Sequence, residues 1–247
     1  MKVCNLTLLL FVILLSLASC KKDNSVTKPV KFTSTTYKTL GTYDAAGIPT
    51  YATTPDVISS DLLSFIYNTL PERTDLRVSN PELLTTKAIA DIKITRSSEA
   101  FITFVSSGTG RTNSFGFYTY PTNQPPATTK DINTITYIFP YCGNRTTLKD
   151  GTKVDIGRFE AGTSIGFVLL QNGWDTTNHK LNNNVVHFLS NDILNPEVDP
   201  NLKKHAVLIN YAPENKVLIG FEDIDRTSSD CDHDFNDLIV YCTLTPF

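Results

Sequence analysis

From Ile89 onward the chain is written in short apolar runs of a length and alternation that suit strands rather than helices. They are "IADIKIT", "AFITFVS", "SFGFYTY", "TITYIFP", "TKVDIG", "TSIGFVLLQ", "VVHFLS", "HAVLINY", "KVLIGFED" and "DLIVYCTL". Each is rich in Val, Ile, Thr, Phe or Tyr, and clusters such as "SSGTGRTN", "PTNQPP" and "LNNN" punctuate them. About ten such strands predict a mainly β protein, an antiparallel β-sandwich of jelly-roll character over residues 91–247.

Helical periodicity is confined to residues 32–90. In "TTPDVISSDLLSFIYNTLPE", Thr54 can cap, Pro55 suits a first turn, and Val57, Ile58, Leu62, Phe65 and Ile66 approximate a 3.6-residue stripe ending near Pro71. A shorter helix is expected from Asn80-Pro81 to about Ala90. The sandwich is therefore preceded by a short helical N-terminal segment.

The first 19 residues read as a secretory signal peptide: Lys2, an apolar stretch from Leu6 to Leu17, then small residues. That stretch is short for a membrane span. Leu17-Ala18-Ser19-Cys20 resembles the lipobox of bacterial lipoproteins, which implies that Cys20 is acylated and anchors the chain in a membrane. Residues 20–31 are polar enough to serve as a tether. Asp23 so close to Cys20 is similar to the export signals of some outer-membrane lipoproteins, which implies an outer-membrane, surface-exposed location.

Charge narrows the partners. The chain has 25 acidic and 22 basic residues and a net charge of −3, with no basic patch of the kind that binds nucleic acid. Beyond Cys4 and Cys20 the cysteines are Cys142, Cys231 and Cys242, for which one disulfide and one free thiol are expected in an oxidising compartment. No two of them have zinc-ligand spacing.

Literal enzyme signals are weak. "GTSIG" fits G-x-S-x-G, but a nucleophile elbow needs a strand, a turn and a helix, whereas Ser164 sits inside a period-two run. His179, His187 and His205 are scattered, and His187 alternates with Val185 and Leu189 as a satisfied strand histidine would. Phe115, Phe117, Tyr118, Tyr120 and Trp174 could stack on sugar rings, although alternation alone accounts for the strand aromatics as core.

One stretch resists the bland reading. "GFEDIDRTSSDCDHDFNDLIVYC" places Glu222, Asp223, Asp225, Asp230, Asp232, Asp234 and Asp237 within sixteen residues, opposed only by Arg226 and His233. Two carboxylates about 4 Å apart repel by roughly 4 kcal/mol at an effective dielectric near 20, against a domain stability of about 5–15 kcal/mol. Either the acids splay into water or a multivalent cation lies among them. Asp232, Asp234 and Asn236 at alternate positions offer the oxygen ligands that Ca²⁺ takes. The spacing is not that of an EF-hand, because Asp237 stands at the turn-glycine position and Thr243 at that of the bidentate Glu. His233 is expected between the acids or in solvent.

"IGFEDID" followed by "DCDHDFNDLIVY" resembles the signature of a family of uncharacterised bacterial domains in secreted and surface proteins, including large calcium-dependent adhesins. "TNSFGFYTYP", "GRFEAGTSIGFVLLQNGW" and "KKHAVLINY" are similar to the same family, over roughly Phe101 to Leu244. The resemblance implies a β-sandwich that holds calcium through Glu222, Asp223, Asp232, Asp234, Asn236 and Asp237. Together with the lipobox it implies a non-catalytic adhesion module for a glycan or a surface protein. A calcium-dependent polysaccharide hydrolase and a structural subunit of an envelope complex are the competing expectations.

Overall fold

The computed structural model describes residue 32 and residues 34–85 and 90–247. The signal peptide, Cys20 and the tether lie outside these residues. In chain order the elements are β1 (Thr36–Thr39), α1 (Ser60–Thr69), α2 (Leu76–Ser79), β2 (Ile92–Lys93), β3 (Ser98–Ser106), β4 (Ser114–Pro121) and β5 (Thr134–Phe139). They continue with β6 (Lys153–Phe159), β7 (Thr163–Leu170), β8 (Trp174–Asp175), β9 (Lys180–Leu181), β10 (His187–Leu189), β11 (Ala206–Tyr211), β12 (Lys216–Phe221) and β13 (Leu238–Pro246).

The strands form the expected sandwich. One sheet runs β1-β5-β4-β7-β10 with β2 also on β7, the other β11-β12-β13-β3-β6, and β8 pairs with β9. Every pairing is antiparallel except that of β1 with β5. Period-two alternation turns Phe115, Phe167 and Leu169 of the first sheet toward Ile102, Phe104, Ile219, Phe221 and Val240 of the second, in one core. The Phe115 ring lies 5.8 Å from those of both Phe167 and Phe221, so aromatic contacts span the two sheets. Burying one such ring is worth about 1.5–3 kcal/mol.

The outer face of the second sheet is covered by α1 and its C-cap residue Leu70: Leu62, Ile66 and Leu70 pack on Val105, Leu218, Ile239 and Tyr241. The helix begins six residues after Thr54, at Ser60, with Ser59 as its cap: Ser59 Oγ accepts from the Leu62 amide at 3.1 Å. The reason is Asp56, which accepts from Lys153 Nζ, Thr103 Oγ1 and the Tyr241 hydroxyl, each at 2.9 Å, and so ties the preceding segment to the sheet. Of the second expected helix, residues 81–84 form a 3₁₀ turn, Pro81–Leu84, preceded by α2, and residues 86–89 lie outside the described residues.

Strand polarity gives the sandwich two poles. Phe115 pairs with Phe139 at the pole where β12 ends and β13 begins beside the acidic loop, because the neighbouring Asn113 Nδ2 donates to the Asp223 carboxylate at 2.5 Å. Because β1 runs parallel to β5, it enters at Thr36 opposite Thr134, at the other pole.

Two expectations about single residues resolve here. Ser164 is fully buried in β7, its hydroxyl 2.8 Å from that of Thr122, so "GTSIG" is a strand and not an elbow. His187 is buried between the Tyr37 hydroxyl and Val185 O, each at 2.8 Å. The disulfide expectation is corrected: Cys142, Cys231 and Cys242 are all free and buried. Cys142 and Cys242 sit in the apolar core and Cys231 in the acidic loop, where a thiol serves as a small, weakly polar side chain.

Candidate metal centre

The loop between β12 and β13 is shaped by alternation. After Phe221 the chain continues into Glu222 and Asp223, reverses through a turn in which Asp225 accepts from the Thr227 amide at 2.8 Å, and returns along residues 230–237. On the return, His233 (φ 60°) and Phe235 (φ 59°) both adopt the left-handed conformation. That is costly for bulky residues and persists only where the surroundings impose it. Here they do: Phe235 is fully buried in the cluster beneath α1, with the Arg226 guanidinium 5.0 Å from its ring, and His233 Nδ1 accepts from Arg226 Nε at 3.2 Å. The residues that alternate with them, Asp232, Asp234 and Asn236, belong to the other face.

Gly220 makes room for this loop. A Cβ there would lie 2.4 Å from Phe235 O and 2.7 Å from Leu70 Cδ1. Gly220→Ala is therefore expected to lift the loop from β12 and destabilise the fold by about 1–3 kcal/mol. Thermal melts check this, and an unshifted midpoint would contradict the close approach.

Three carboxylates converge. One oxygen from each of Glu222, Asp232 and Asp234 lies within 4.8 Å of the other two. Glu222 is fully buried: Oε1 accepts from the Phe235 amide at 3.0 Å, and Oε2 is 3.1 Å from Cys231 Sγ. Asp234 is buried and accepts from the amides of Arg73 at 2.8 Å and Asn236 at 3.1 Å. Asp232 is exposed and Asn236 buried.

Asp223 and Asp237 flank the trio as a second pair. Asp237 accepts from the Asp223 amide at 2.8 Å. The Asp223 carboxylate is already matched, by Asn113 Nδ2 at 2.5 Å, the Thr109 hydroxyl and Arg111 Nε at 3.3 Å. The six expected ligands thus lie in one region, with Glu222, Asp232 and Asp234 at its centre and the Asp223 side chain engaged by a cation. A cleft of about 330 Å³ opens onto Glu222, Asp223, Asp232 and Asp237 beneath the Gly108–Arg111 turn.

Electrostatics report the crowding. Burial, then the charges of Asp234 and Asp232, pushes Glu222 up to about 7. Asp234 is raised to about 6 by burial, with Asp232 and Glu72 adding to it. Asp237 is raised by burial and by the charges of Asp223 and Glu222. A bound cation reverses this logic, because it favours the ionised form of each carboxyl group.

His233 departs from its expected place. It is buried away from the trio, against Arg226 and 3.2 Å from Cys231 Sγ, and is lowered to about 4 by burial and by Arg226 and Arg77. Thr109, Arg111 and Asn113 come from "SSGTGRTN", whose glycines signal a turn but not its partner, and Arg73 reaches the loop from the α1–α2 connection.

Among curated proteins and among solved structures nothing matches this chain. Residues 159–245 match a family model described as a domain of unknown function, DUF4114, a span that includes β12, the acidic loop and β13 nearly to its end but not Arg73, Thr109, Arg111 or Asn113.

Proposed function

We propose that this chain is a lipid-anchored envelope protein whose β-sandwich is stabilised by Ca²⁺ in the acidic loop and presents a non-catalytic binding surface for a glycan or a surface protein. The observation that carries the metal is the convergence of Glu222, Asp232 and Asp234. Their oxygens, with Asp237, Asn236 and water, make the all-oxygen set that Ca²⁺ accepts at six to eight positions. Mg²⁺ takes fewer carboxylates and keeps more water, and transition metals favour His or Cys.

One surface suits a bound ligand. A cleft of about 360 Å³ beside the same pole is lined by Ala45, Ala46, Tyr141, Arg145, Trp174 and His179. Polarity supports the orientation: with β1 entering at the far pole, an anchor ahead of it leaves the acidic loop outermost.

The anchor is tested by labelling with radioactive fatty acid, which should enter the wild type and not Cys20→Ser. Equal labelling would remove the anchor from this account. The ligand class is tested on a glycan array with and without calcium. Calcium-dependent retention of particular glycans is expected, and an empty array in both conditions would move the assignment to a protein ligand.

A further inference from the structure

The acidic loop has a second face. Asp230 and Asp232 line the acidic cleft, whereas the alternate residues Cys231 and His233 line a different cleft of about 530 Å³ between α2 and the turn at residues 226–229. Its walls carry Arg77, Arg226, Ser228 and Ser229, and no Asp or Glu.

Arg226 is the informative residue. It is only 2% exposed, yet it makes no ion pair among the described residues. Its guanidinium donates to Lys204 O at 2.8 Å and to His233 Nδ1 at 3.2 Å, while Nη2 has no partner. A buried charge without a counter-ion is expensive, and a guanidinium fork is suited to oxyanions. Arg77 adds a second, half-exposed guanidinium from α2, held by Asp75 at 2.6 Å. Ser228 Oγ accepts from the Asp230 amide at 3.2 Å, which leaves its proton to donate into the cleft, and Ser229 supplies another exposed hydroxyl.

We propose that this cleft binds a small tetrahedral oxyanion, sulfate or phosphate, through Arg77, Arg226, Ser228 and Ser229. The donors come from α2, from the turn and from a buried side chain, so they approach from several directions. Such an arrangement suits a tetrahedral group better than a planar carboxylate. The site stands back to back with the acidic one and needs no metal.

Calorimetry on the full chain, stripped of metal with EDTA, tests the proposal independently of the calcium reading. Sodium sulfate and sodium phosphate are titrated at matched ionic strength, with sodium acetate and sodium chloride as controls. One equivalent of sulfate or phosphate should bind, and Arg77→Gln, at an exposed position, should weaken it about tenfold, equivalent to about 1.4 kcal/mol. Ser229→Ala should weaken it several-fold. Methyl sulfate binding as tightly as sulfate would assign the site to an ester on a larger ligand, and its failure to bind beside tight sulfate would assign it to the free ion. The absence of heat with both oxyanions, affinity unchanged in both variants, or acetate binding as tightly as sulfate would each overturn the proposal.

Discussion

Phe235→Ala is expected to lower stability by about 3–5 kcal/mol, the range for removing a fully buried phenyl ring. Phe235 is the side chain through which the acidic loop is joined to the core: it packs under α1 with Leu62, Ile66 and Leu70 while its own amide holds Glu222 Oε1 at 3.0 Å. Alanine at this left-handed position keeps the backbone cost and loses the packing that offsets it. For a domain of this size the melting midpoint should fall on the order of 10 °C. Calcium affinity should fall with it, because Glu222 loses its fixed position. A loss below about 1 kcal/mol would be the effect of an ordinary surface substitution and would contradict the anchoring role.

The stabilisation conferred by calcium should grow with pH. Without metal, Glu222 is raised to about 7 and Asp234 to about 6, so the folded state holds protons that the unfolded chain, with carboxyl groups near 4, has released. Stability contributed by these groups is full below about pH 4 and is lost as pH rises through the folded values. His187 and His233, both lowered to about 4, act in the opposite sense between about pH 4 and 6.5, so the metal-free melt alone is a mixed signal. The calcium increment removes the contribution of His187, which does not touch the loop, and His233 has finished titrating above about pH 6.5. Protons compete with the ion at low pH, and at calcium a hundredfold above its dissociation constant the increment reaches about 2.7 kcal/mol. Paired melts in EDTA and in calcium should differ little at pH 5 and by several degrees at pH 8. A constant gap across that range would contradict metal binding by these carboxylates.

The sandwich was legible because short runs rich in Val, Ile, Thr, Phe and Tyr, bounded by turn residues, mark strands even where both faces are buried, as in β5 and β7, and all ten runs quoted from Ile89 onward contain strand. What escaped was set by partners remote in sequence. β1, from "TYKT", carries no apolar alternation and is a strand because β5 supplies its hydrogen bonds about a hundred residues later. The start of α1 moved because the Asp56 carboxylate binds Lys153, Thr103 and Tyr241, three residues that no local pattern connects to it. At the acidic site the six candidate residues could be gathered from the sequence and its family resemblance, but that Glu222, Asp232 and Asp234 converge while Asp223 is engaged elsewhere could not. Asp223 differs from Asp234 through Arg111, Asn113 and Thr109, which lie more than a hundred residues upstream. Counting cysteines failed for a related reason: an odd number is no obstacle when each thiol has a buried place of its own.

In the proposed function the acids crowd together because a calcium ion makes their convergence favourable. Calorimetric titration of Ca²⁺ into the metal-stripped full chain at pH 8, in parallel with Asp234→Ala and Asp230→Ala, distinguishes this from an acidic loop that holds no ion. Asp234 is buried at the convergence, and Asp230 is an exposed residue outside the trio. About one equivalent of Ca²⁺ should bind the wild type, more tightly than Mg²⁺, with binding lost in Asp234→Ala and largely kept in Asp230→Ala. Absence of binding in the wild type, or undiminished affinity in Asp234→Ala, would contradict it.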